Sequence, residues 1–257
     1  MSKKILFILF FILPFYLPAQ TDNAGKAFKK VLDKRSGIPI YFECGAETFP
    51  AYWHTPEISA ECSSLDREER DRSAELVKKA MAKYPVAVLQ QNIKKVYVLK
   101  TIRFYGQPFG GTNSLDAVYL TNNGVSLGYT DSYIEQVFHH EFSSVLLRNF
   151  PAELDTGAWV HNNTAPYGKG GVYALQSVSA GTVFDSLYWK HGFLYQYAQS
   201  DMENDFNSFA ENIFAPNPGF WDAISHYPAL QNKLNLIIAF YNRLNPAFTR
   251  DYFYTIK

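Results

Sequence analysis

His139, His140 and Glu141, followed closely by Ser143 and Ser144, are the residues best equipped for chemistry in this sequence. An imidazole can bind a metal or carry a proton, and a neighbouring carboxylate can act as a base. The stretch from Tyr133 to Leu147 reads as a helix. At about 100° per residue, Ile134, Val137, Phe138 and Val145 share one apolar stripe, and Glu141 falls within it. A carboxylate on the core-facing side of a helix is costly unless it is paired, hydrogen-bonded or bound to metal. Glu141 is therefore the first candidate for a catalytic role. His140 and Ser144 lie one turn apart on one flank of it, whereas His139 projects about 100° away from His140. A second set, Glu203, Asn207 and Glu211, stands at i, i+4 and i+8 on one face of a later helix.

The elements that must position these residues follow from periodicity and capping. Ser132-x-x-Glu135 is a capping-box pattern that opens a helix over 132–148. An earlier helix is capped by Ser63 and stops at Pro85. It carries Asp66, Glu68 and Glu69 early and Lys78, Lys79 and Lys83 late, the charge order that suits the helix dipole. Its apolar stripe is Leu76, Val77, Ala80, Met81 and Tyr84. Residues 95–103 predict a strand, Gly110-Gly111 breaks the chain, 116–121 predicts a second strand, and Asn122-Asn123-Gly124 a turn. Residues 22–37 are polar and lean towards helix, and 38–58 are extended or irregular. Residues 155–182, rich in Gly, Asn and Ser, predict a long surface excursion. Helices are predicted over 202–214, 218–225 and 228–244, with the Tyr- and Trp-rich C-terminal part in the core. Helix, strands and further helices without strict alternation make the fold class α+β.

His140-Glu141-Phe142-Ser143-Ser144 resembles the His-Glu-x-x-His helix of zinc metallopeptidases, with Ser144 where the second histidine belongs. In that motif two histidines one turn apart bind zinc, and the glutamate is the base for the zinc-bound water. The chain over 85–215 resembles the gluzincin-like zinc-binding metallopeptidases that bacteria export. The matching features are the strand near 95–103, Gly111 with the strand 116–121, Gly192-Phe-Leu-Tyr-Gln-Tyr-Ala198, and Glu203-Asn-Asp-Phe-Asn-Ser-Phe-Ala-Glu211. The resemblance implies a zincin-like fold, with a small mixed sheet packed on the active-site helix and a mainly helical C-terminal part. It also implies zinc as cofactor, His140 as first ligand and Glu141 as catalytic base. The third-ligand position falls on Asn207. His139, Glu203 and Glu211 are the further ligand candidates, Glu203 through a register shift of one turn. Neutral Ser and Asn are poor donors for Zn²⁺, so zinc is expected to bind weakly or not at all. The plainer readings are a Glu141 held by a backbone amide or tyrosine hydroxyl, a partly exposed His139, and acids of 203–211 that form a solvated helix face.

The chain has 257 residues with 24 basic and 24 acidic side chains, and 47% of it is hydrophobic. Such a length makes one large domain or two small ones, and zero net charge argues against a non-specific nucleic-acid binder. Lys3 and Lys4, the apolar run Ile5 to Leu13, and the sequence Pro18-Ala19-Gln20 fit a signal peptide over 1–20. That leaves 21–257 as a single metallopeptidase-like domain, exported to the periplasm, cell surface or medium, with no integral membrane segment after signal removal. Export permits a disulfide between Cys44 and Cys62, the only cysteines; the alternative is two separate small apolar residues. His54, His161, His191 and His226 have no ligand spacing, and Ser143 and Ser144 lack the Gly-x-Ser-x-Gly elbow of a serine hydrolase. Three readings stand side by side. One is zinc-dependent hydrolysis of a peptide or protein substrate at a degenerate metal site, the second a non-catalytic peptide- or glycan-binding module on the same fold, and the third a structural exported domain with no retained site.

Overall fold

The computed structural model describes residues 30–215 and 218–256, so residues 1–20, read above as a signal peptide, lie outside the described residues. Its centre is a five-stranded mixed sheet in the order β1-β2-β4-β8-β7, formed by β1 (Lys30–Leu32), β2 (Pro39–Tyr41), β4 (Lys95–Leu99), β7 (Gly111–Asn113) and β8 (Ala117–Thr121). β2, β4 and β8 run parallel, and β1 and β7 close the edges antiparallel. The alternating side chains of β4 and β8 bury both faces. Val96, Val98, Val118 and Leu120 enter the main core, while Tyr97, Leu99, Ala117 and Tyr119 pack with Phe49, Ile102 and Phe104 in a second cluster. Burial on both sides explains why these strands read as continuous apolar runs.

The second cluster is roofed by a small antiparallel sheet of β3 (Glu61–Ser63), β5 (Thr101–Phe104) and β6 (Gln107–Pro108). The strand expected over 95–103 is thus two strands in two sheets. They part at Lys100, whose amide bonds to the Ser63 carbonyl. Cys44 and Cys62 form a disulfide with a Cα separation of 5.8 Å, tying this roof to the chain leaving β2. A bridge closing such a loop stabilises by about 3 kcal/mol in the chain-entropy model.

On the other face lie the helices α1 (Arg67–Ala82), α2 (Val86–Asn92) and α3 (Asp131–Asn149). The stripe Leu76, Val77, Ala80, Met81 and Tyr84 is buried as its spacing predicts. Ser63 is not the cap of α1: it lies in β3, hydrogen-bonded to Thr101, and Asp66 holds the N-cap position. Ser132 does not cap α3 either. Thr130 does, its hydroxyl accepting from the Tyr133 amide at 3.2 Å, while Glu135 turns inward to Lys79 and Lys83 on the neighbouring helix. Both errors have one cause, since tertiary pairing claims a side chain that local rules would use as a cap. In the stretch read as helix-leaning, Lys30–Leu32 is β1, paired to β2, and 33–37 form the turn between them.

The remaining helices are α4 (Thr156–His161), α5 (Gly171–Gln176), α6 (Ser186–Trp189), α7 (Met202–Phe214), α8 (Pro218–His226), α9 (Pro228–Leu244) and α10 (Arg250–Thr255). The excursion predicted over 155–182 is only partly at the surface. Trp159 on α4 is fully buried and donates from its indole to Asp205 at 2.9 Å. The architecture is α+β with a mainly helical C-terminal part. Among the described residues no helix is long and apolar enough to cross a membrane.

Candidate functional site

Helices α3 and α7 lie side by side and antiparallel, cross-linked by polar side chains. His140 Nδ1 and Glu211 Oε2 are 2.8 Å apart. One turn further along α3, Asn207 donates to Ser144 Oγ at 2.6 Å and accepts from the Ser143 hydroxyl. Tyr195 donates its phenol proton to the other oxygen of Glu211. The segment that carries Tyr195 is entered through Gly192 at φ 87°, where an added Cβ would sit 2.5 Å from the Asn162 carbonyl oxygen, so only glycine fits.

Glu141 is 8% exposed. Its Oε2 accepts from Asn113 Nδ2 at 2.8 Å, and Arg148 donates to the side-chain oxygen Oδ1 of Asn113 at 2.9 Å. Asn113 belongs to the edge strand β7, which presses against α3. A Cβ on Gly111 would lie 2.6 Å from Val137 Cγ1 and 2.9 Å from Glu141 Oε1. Between β7, α3, α7 and the segment 175–184 is a cleft of about 640 Å³. His140, Glu141, Glu211 and Asn212 supply polar atoms, Tyr133, Tyr195 and Tyr197 phenols, and Phe109, Val137, Leu175, Val183 and Phe184 the apolar wall.

The electrostatics of the two histidines differ. Burial alone would pull the His140 imidazole down, but the hydrogen bond and charge of Glu211, with help from Glu141, hold it at about 9. His139, one residue earlier, is fully buried against Phe214, its Nδ1 2.8 Å from the Tyr84 hydroxyl and its Nε2 without a hydrogen-bond partner among the described residues. Burial, then the charges of Lys83 and Lys79, hold it well below the usual histidine range, so it is neutral. Burial also pushes the Glu141 carboxyl up, against the pull of His140 and Asn113, and the charges of Glu203 and Glu211 push it the same way.

Of the residues picked out by sequence, the structure brings His140, Glu141 and Glu211 to one cleft. It does not bring His139, which points into the aromatic core on the other side of α3. The plainer reading of His139 as partly exposed is equally corrected, because a step of about 100° turns it from the cleft to the core. Glu203 is exposed in the first turn of α7 and makes no hydrogen bond to this group. Glu203 thus keeps the solvated place of the plainer reading, but Asp205 does not. Asp205 is fully buried with Lys233 at 2.5 Å. Sequence reasoning missed Asn113 and Tyr133 altogether and gave Tyr195 and Tyr197 no role. The Gly110-Gly111 break, which marks a close backbone approach, was the one local signal for this wall.

A structural zinc or catalytic zinc needs three or four imidazole, thiolate or carboxylate donors converging on one point. Here two of the three positions implied by the motif, Ser144 and Asn207, are neutral and bonded to one another, and the third, His140, is engaged by Glu211. Among the described residues no group of three or more His, Cys, Asp or Glu is arranged to hold a metal ion. The residues present do not fit a three-ligand zinc site.

No protein-family model matches the sequence, and no curated protein matches it. A solved structure is similar in fold. It is a "putative zinc-binding metallo-peptidase" from Bacteroides caccae ATCC 43185, which superposes with a TM-score of 0.55 at 14% identity and 84% coverage of either chain. At that identity the likeness concerns the fold.

Proposed function

We propose that this is an exported, metallopeptidase-like protein whose cleft binds an extended peptide without a tightly held zinc ion. The observation that carries this reading is the Ser143–Asn207–Ser144 hydrogen-bonded link, which joins α3 to α7 where the resembled motif has two of its metal ligands. Support for a peptide comes from β7, an edge strand bordering the cleft. Gly110 O bonds to Thr121 N and Ser114 N to Ala117 O, so residues 110, 112 and 114 face β8. By the two-residue period, Gly111 and Asn113 turn their backbone N–H and C=O groups outward, where a peptide strand can add. The metallopeptidase name of the structural neighbour points the same way. Export rests on the N-terminal pattern and agrees with the disulfide.

Zinc-dependent peptide hydrolysis is the second reading. What favours it is the meeting of His140 with Glu211, two residues of zinc-binding type, beside Glu141 at the base position of the motif. Competition with a chelator separates the two. The proposed function expects no stoichiometric zinc in the wild-type protein and clear zinc uptake after the double substitution Ser144→His with Asn207→Glu. Tight wild-type zinc together with peptide cleavage would replace it by the second reading.

A further inference from the structure

The charge inventory of the cleft is lopsided. Among the described residues no lysine or arginine lines it, and the one imidazole that does is already engaged by Glu211. Glu141 is more than nine-tenths buried, yet only Oε2 accepts a hydrogen bond among the described residues, and Oε1 lies against the Gly111 backbone at the cleft wall. The Arg148 guanidinium does not reach it, because Asn113 stands between them and takes that bond. Tyr133 and Tyr197 line the same space, close enough to Glu141 for its charge to act on both phenols. A largely buried carboxylate with one oxygen free of hydrogen bonds among the described residues, flanked by aromatic rings, and with the Glu211-engaged His140 imidazole as its basic neighbour in place of a lysine or arginine, is what a compact cation with N–H donors satisfies. Aromatic faces add to the attraction for such a cation.

We infer that Glu141 is the anchor for an ammonium group of the ligand, either a free peptide α-amine or a lysine side chain. This rests on the reading of the cleft as a peptide site and narrows it to peptides that bring a positive charge. Glu141 Oε1 accepts from the ammonium, Asn113 keeps Oε2 in place, and the apolar wall takes the flanking side chain. The assignment differs from the base role that the motif implies for Glu141, since it makes the carboxylate a recognition element that works without metal.

Calorimetric titration of the purified protein with matched probes tests it. The probes are Ala-Leu-Phe-amide and its N-acetyl form, acetyl-Ala-Lys-Phe-amide and its norleucine counterpart, and butylammonium chloride. At least one ammonium-bearing peptide should bind about tenfold or more tighter than its neutral partner, as expected for a charge-assisted hydrogen bond. The N-acetyl pair and the lysine–norleucine pair tell the two sources apart. Glu141→Gln, close in shape and still able to bond Asn113, should abolish that preference while circular dichroism stays unchanged. Equal binding of charged and neutral peptides, or a preference that survives Glu141→Gln, overturns the inference and leaves the peptide site standing. Butylammonium binding that depends on Glu141, with no peptide bound, supports the ammonium anchor and overturns the peptide reading. No binding by any probe overturns both.

Discussion

The two sides of the α3–α7 pair handle charge in opposite ways. On the core side each buried ion meets an opposite one supplied by the chain. Asp205 holds Lys233, which also lies over the rings of Trp159 and Phe193, and Glu135 holds Lys79 and Lys83. On the cleft side acids outnumber bases, and no lysine or arginine stands among the described residues that line it. Buried charges are tolerated where they are paired, so a largely buried carboxylate with no lysine or arginine beside it, next to an open space, is where the proposed ligand would complete the pairing. His139 and His140, consecutive in sequence, belong one to each side.

The largest expected effect tests the core side. Asp205→Ala leaves Lys233 buried without its counter-charge and should cost about 3–5 kcal/mol in denaturant unfolding. Glu141→Gln, on the cleft side, should change stability by less than about 1 kcal/mol. Similar losses from both would erase the distinction between the sides.

The histidines should give opposite pH dependences. The folded His140 titrates at about 9, above its unfolded value of 6.5, so its stabilisation is complete below pH 6.5 and is lost as pH rises through 9. The loss is on the order of 3 kcal/mol. His139 is depressed, so its contribution is present above pH 6.5 and is lost as the pH falls below that value. Stability measured against pH for His140→Gln should lose the alkaline fall, and His139→Phe should lose part of the acid one. Histidine NMR titrations in which both rings titrate together would contradict the comparison.

Gly111→Ala comes next. Its Cβ would meet Val137 and Glu141 at 2.6 and 2.9 Å, so β7 or α3 must shift, at about 1–3 kcal/mol, and peptide binding should weaken more than the melting temperature falls. The smallest effect is the control. Thr130→Ala removes the α3 cap and should cost about 1 kcal/mol, with Ser132→Ala near neutral and cleft binding unchanged in both. Equal costs for the two would restore Ser132 as the cap.

Much of this could be read from one dimension because it depends on near neighbours. The C-terminal helices follow apolar periodicity, and the Cys44–Cys62 bridge follows from there being two cysteines. The placement of Glu141 on an apolar stripe, and the divergence of His139 from His140, follow from helical geometry alone. What failed depended on distant partners. Ser63 is drawn into a ladder with Thr101, Glu135 into an ion cluster with α1, and Lys100 bends the chain between two sheets.

The sequence by itself determined which residues could do chemistry and which way each leaves its helix, because helical twist is a local property of the backbone. Only the tertiary structure decided what each one meets. Asn207 closes on Ser144 and Ser143, Glu211 takes His140, and Asn113 reaches Glu141 from an edge strand 28 positions away. Those contacts depend on how α7 and β7 dock against α3, and docking is set by the burial of the whole apolar core rather than by any short run of residues.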